Sequence, residues 1–198
     1  MGSLYDWLLE SGYVAAWIFF LVLFYIALVA GNVAYYVMPE ELRERLALSI
    51  REYFESRILQ VGPNPLLLFI VIFVNNALVT IITWLLSITI IVPVLVVAIN
   101  GLLIGFFIPL LFDLRIGDVS YLYLFLTVAP HGVIEIPAIT LAASVFTLVF
   151  FRGFKGFLSA LPGVLLLAII MILVAAVVES TVSLLLGLLS QLVVRVVF

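Results

Sequence analysis

Residues 13–38 read YVAAWIFFLVLFYIALVAGNVAYYVM, without one charged side chain. A hydrocarbon core of roughly 30 Å needs about 20 apolar residues in helical form, so this stretch alone spans a bilayer. The rest of the chain repeats the pattern. Of 198 residues, 67% are hydrophobic and 10% charged, and the mean hydropathy is +1.46; soluble domains are about 45–50% apolar and about 25% charged. The ten-residue alternation of a membrane β-barrel is absent. The fold expected is all-α, a polytopic transmembrane helix bundle of about five spans in a single membrane domain over 1–198.

The spans are expected at Tyr13–Met38, Pro65–Leu86, Thr89–Phe112, Val119–Phe151 and Leu161–Leu188. The second and third are joined by a very short link near Ser87, which predicts a tight antiparallel hairpin. The fourth and fifth are joined by RGFKGFLS (152–159), which predicts another. Two polar pieces flank them. Residues 3–10 (SLYDWLLE) read as a short interfacial helix. Residues 39–60 read as an amphipathic surface helix, with Leu42, Leu46, Ile50, Phe54 and Ile58 forming its apolar stripe and Glu41–Arg45 and Arg51–Glu55 as i,i+4 ion pairs. Pro39 suits its first turn.

Charge sets the orientation. Placing the 39–64 loop in the cytoplasm also puts Arg115 and Arg195 inside and leaves only Arg152 and Lys155 outside. The positive-inside rule then predicts a cell-membrane protein with its N-terminus outside and its C-terminus cytoplasmic. The start, MGSLYDWLLES, lacks the basic n-region of a cleavable signal. There is no basic tract for nucleic acid, and no cysteine for a disulfide, a thiolate ligand or a thiol nucleophile.

Within the apolar runs only His131, Glu135 and Glu179 are ionisable. Such groups are expensive in hydrocarbon and mark function by default. His131 and Glu135 are four residues apart and share a helix face. A turn near residues 155–156 puts His131 level with residue 180 and Glu135 level with residue 176, so Glu179 falls between them. A link near Ser87 puts Asn75 level with Asn100 and Asn76 level with residue 99. These amides also need partners where water is scarce. Pro130, placed at a helix start, and Pro137, which withholds an amide from the carbonyl of Val133, predict a fourth helix broken just before His131. Gly132 is read as admitting a neighbouring backbone, and Gly101 and Gly105 as a G-x-x-x-G packing face.

One imidazole and two carboxylates form a zinc-type ligand set with one position open to water. Three readings stay open. The trio holds a divalent metal, most simply zinc, with Asn75, Asn76 and Asn100 around it; or a charged pair pins two helices together; or the groups relay protons in a transporter. With a metal, the protein is either a scaffold or an intramembrane hydrolase, in which Glu135 or Glu179 would be the general base. No G-x-S-x-G, H-E-x-x-H or P-loop is present.

The stretch PHGVIEIPAITLAAS (130–144) resembles the stage II sporulation protein M family, whose members carry a Pro-His-Gly…Glu-x-Pro-Ala signature. NNALV from Asn75, the Asn100–Gly101 pair with Gly105, and VVES at Glu179 also look like that family, so the resemblance covers roughly residues 65–185. It implies a five-span protein that acts as a scaffold for wall-degrading partners during engulfment in spore formers; homologues also occur in organisms that do not sporulate. The metal is inferred from residue chemistry, not from the resemblance. The partners expected are the lipid bilayer, a second copy in a homodimer, and other membrane or envelope proteins.

Overall fold

The computed structural model describes residues 12–49, 65–113 and 121–183. These residues form five long helices, all apolar enough to cross a membrane: α1 (Tyr13–Val37), α2 (Pro65–Leu85), α3 (Ile91–Asp113), α4 (Tyr121–Ser144) and α5 (Leu148–Val178). The protein is a multi-pass helical membrane bundle. The expected helix at 3–10 lies outside the described residues, as do positions 50–60 of the surface helix and the end of the fifth span beyond residue 183.

Local chemistry sets the helix ends. Gly12 takes a left-handed conformation (φ 67°) just ahead of α1. Met38 is extended (ψ 140°) because the following proline disfavours helical geometry. The chain then re-enters a helix at 40–49, where the amides of Leu42 and Arg43 donate to the carbonyl of Pro39 at 3.0 and 3.1 Å. Leu46 and Ala47 of this helix pack on the Tyr35–Leu110 pair, and the Arg43 guanidinium lies 5.5 Å from the centre of the Tyr35 ring. The Glu41–Arg45 pair forms at 3.7 Å. It is exposed and contributes at most about 1 kcal/mol.

The tightest packing in the bundle is α1 against α3. Gly31 of α1 faces the Leu102 carbonyl, Gly101 faces Phe24 and Ala27, and Gly105 faces the Leu28 carbonyl, each so closely that no side chain fits between. Residue numbers rise together on both helices, so the two run parallel. Phe20, Phe24 and Val97 fill one end of the seam, and the Tyr35 and Phe106 rings meet edge to face at 5.4 Å at the other. By contrast α2 and α3, joined only by a 3₁₀ turn (Leu86–Thr89) and Ile90 at φ 57°, barely touch. The packed α2–α3 hairpin expected from the short link is therefore not formed. The small-residue face of α3 is occupied by α1, and α2 packs on α4 and α5 instead. There Ala77 meets Ala138, Ile139 and Ile172, and the Trp84 indole N–H donates to the Leu161 carbonyl at 3.1 Å.

α4 is the central element. Half of its span is buried, against 17–28% for the other four, and it touches all of them. The fourth and fifth spans do form a hairpin. Gly153 (φ 65°, ψ 177°) interrupts the helical path, at an angle that suits a residue without Cβ. Leu141, Ala142, Val145 and Leu148 then pack against Phe157, Ala160, Val164 and Ala168. The charged linker is thus helical on both sides of a one-residue turn, and α5 begins well before Leu161.

The break expected before His131 is also absent. α4 runs unbroken through Pro130 and Pro137 and gives way only to a 3₁₀ turn at Val145–Thr147. In hydrocarbon a helix keeps its ladder, because freed backbone groups have no water to turn to and neighbouring side chains must serve them. Side chains also brace the turn that follows Pro137. The Trp17 indole N–H lies 3.1 Å from the Pro137 carbonyl and 3.0 Å from Thr140 Oγ1, and the Thr140 hydroxyl lies 2.8 Å from the Ile136 carbonyl, to which it donates. One turn earlier on α1, the Tyr13 hydroxyl donates to the Leu141 carbonyl at 2.7 Å. These bonds fix α1 antiparallel to α4.

Candidate intramembrane carboxylate site

Glu135 sits on α4, half-buried, one turn past position 131 on the same uninterrupted helix. Glu179 is the first residue of a π-helical turn (Glu179–Ser183) that ends α5. The turn packs against α4 and α2. π turns are rare and concentrate at functional sites. This one keeps its polar groups satisfied locally: the Glu179 amide donates to the carbonyls of Ala175 and Ala176, and the Thr181 and Ser180 hydroxyls both donate to Val177 at 2.5 and 3.2 Å.

The hairpin thus sets the turn that carries Glu179 against the helix that carries Glu135. Both glutamates are half-buried among apolar side chains. Like charges held together in such a medium repel strongly unless a cation or a proton lies between them.

Beside Glu135 opens a cleft lined by Phe24 of α1, Asn100 and Ile104 of α3, and Ile136 and Thr140 of α4. Its free volume is about 10 Å³, the space of roughly one water molecule. Asn100 donates to the Val96 carbonyl at 2.7 Å and lines the same cleft as Glu135. The cleft thus gathers polar side chains from α3 and α4, Asn100, Glu135 and Thr140.

The other residues expected here fall in different places. The side chain of His131 lies outside the described residues; its backbone is helical. Among the described residues no three His, Asp or Glu side chains are grouped as metal ligands. Asn75 and Asn76 are on α2 and hydrogen-bond each other at 3.2 Å, with Asn75 on the exposed side. They do not line the cleft with Asn100. Gly132 meets no close backbone: a Cβ there would make only an ordinary 3.7 Å contact with Ile136. Gly101 and Gly105 serve the α1 seam.

Two residues not expected at the site support it. Thr140 shares the cleft and donates to the Ile136 carbonyl in the turn after Pro137; a hydroxyl three residues past a mid-span proline is a signal the sequence carries. Trp17 had no such signal beyond the need of any indole N–H in hydrocarbon for an acceptor.

The family model for Stage II sporulation protein M matches residues 14–184. The chain belongs to that family. The match takes in all five helices and both carboxylates, so the Stage II sporulation protein M family is the frame in which the site is read. No curated protein and no solved structure matches the chain.

Proposed function

We propose that this member of the Stage II sporulation protein M family is a membrane-embedded scaffold whose bundle is locked by a divalent cation, most simply zinc, held by His131, Glu135 and Glu179. The observation that carries the reading is the packing of the π turn that bears Glu179 against α4, the helix that bears Glu135, inside an apolar bundle. A cation between the two carboxylates turns a repulsion into a cross-link. His131, one turn before Glu135, supplies the nitrogen donor that zinc favours over hard cations.

Purified wild-type protein is expected to carry close to one zinc per chain by mass spectrometry of the metal, and His131→Ala to lose it. Wild-type protein that is metal-free after mild purification overturns the lock. Turnover of a peptide or ester substrate that depends on the same metal would replace the scaffold reading with a hydrolase.

The proposal places the helix at 40–49 in the cytoplasm and the Gly153 turn outside, following the arginine distribution. The absence of native cysteine makes this simple to test. In intact cells an impermeant thiol reagent is expected to label Lys155→Cys and to spare Glu44→Cys; the reverse pattern inverts the topology.

A further inference from the structure

We propose that a second copy of this chain docks on the outer face of α2 through Asn75, independently of any metal. Asn75 lies inside the membrane span Phe69–Thr89 and is exposed. Among the described residues its one hydrogen bond is the 3.2 Å bond it donates to Asn76. A primary amide carries two N–H donors and an oxygen with two lone pairs. One donor and the oxygen of Asn75 thus face hydrocarbon, where no water relieves them.

Symmetry selects the occupant. Copies in one membrane share an orientation, so a two-fold axis along the membrane normal brings identical residues together at identical depth. Asn75 then meets Asn75 of the second copy, and each amide supplies the donor the other's oxygen lacks. An amide is self-complementary in this way; a lipid tail or an apolar helix offers it nothing. The surrounding surface fits the same contact. Val71, Val74, Leu78 and Leu85 are all exposed, and their spacing of three, four and seven residues makes a seam like that of parallel helix pairs. Asn75 borders this seam, and interhelical asparagine bonds are a recognised adhesive in membranes.

The test uses the full chain in liposomes. Energy transfer between donor- and acceptor-labelled copies, measured as lipid is added, is expected to show dimers. Asn75→Leu should weaken the association on the order of threefold to thirtyfold, the range of one or two interhelical hydrogen bonds, while Asn75→Gln should largely retain it. Because the chain has no cysteine, Leu78→Cys should give a disulfide-linked dimer on mild oxidation. Ile99→Cys, on the exposed face of α3, should not. Asn75 touches no other element through a hydrogen bond, so Asn75→Leu is expected to unfold at the wild-type temperature. Energy transfer no greater than random mixing overturns the proposal. So does an Asn75→Leu protein that associates as wild type, or cross-linking equal at positions 78 and 99.

Discussion

Gly105→Leu is expected to separate α1 from α3 and to cost the protein more stability than any other single substitution in the bundle. A side chain at position 105 would occupy the place of the Leu28 carbonyl, and neither backbone can yield without moving its whole helix. Overpacking in soluble cores costs about 1–3 kcal/mol and occasionally more. Here the upper end of that range is expected, because the obstacle is backbone and not a side chain able to change rotamer. Separation would also undo the Tyr35–Phe106 contact and loosen the surface helix resting on Tyr35 and Leu110. Thermal unfolding in detergent should read this as a lower, broader transition. Gly163→Leu, at a glycine with open space around it, is the control and should change little. A Gly105→Leu protein that melts like wild type would mean that α1 and α3 do not meet as described.

Glu179→Gln is expected to abolish the dependence of stability on zinc. Glutamine keeps the length and hydrogen-bonding capacity of the side chain and removes only its charge. If the cation lock holds, zinc at a hundredfold excess over its dissociation constant adds about 2.7 kcal/mol to wild-type stability. For a chain of this length that corresponds to a rise of about 5–10 °C. The same titration on Glu179→Gln should give a shift near zero. A second outcome discriminates the simpler helix pin: if neither protein responds to zinc but Glu179→Gln is the less stable of the two, the groups hold helices without metal. A full zinc response in Glu179→Gln removes Glu179 from the ligand set.

Much of this architecture is written in the chain, though unevenly. The spans are legible because bilayer thickness fixes the length of every apolar run. Their ends are less so. Arg152 and Lys155 read as a loop, but α5 carries them in helix on either side of Gly153. Gly101 and Gly105 announce a close approach without naming the partner. The matching face on α1, Ala27 and Gly31, becomes meaningful only once the two helices are set side by side. Equal-height reasoning set Glu179 at the level of Glu135, and the π turn that carries Glu179 does pack on α4. The same reasoning failed to bring Asn75 to Asn100 because height says nothing about the direction in which a side chain points, and because α2 and α3 share a link without sharing an interface. Prolines misled for a related reason. Pro137 withholds an amide from the Val133 carbonyl, yet α4 stays helical through it, and Trp17 and Thr140 brace the following turn at the Pro137 and Ile136 carbonyls.

The parallel seam between the first and third helices has a consequence for biogenesis. Leu28 and Gly105 touch in the finished protein, yet at about 5–20 residues per second the ribosome makes them about 4–15 s apart. During that delay the first helix sits in the bilayer with its glycine groove open and its true partner not yet synthesised. The second helix arrives in between and offers no substitute surface. The α1–α3 seam therefore cannot close before the third span is made, so the order of synthesis separates insertion of the first span from its packing.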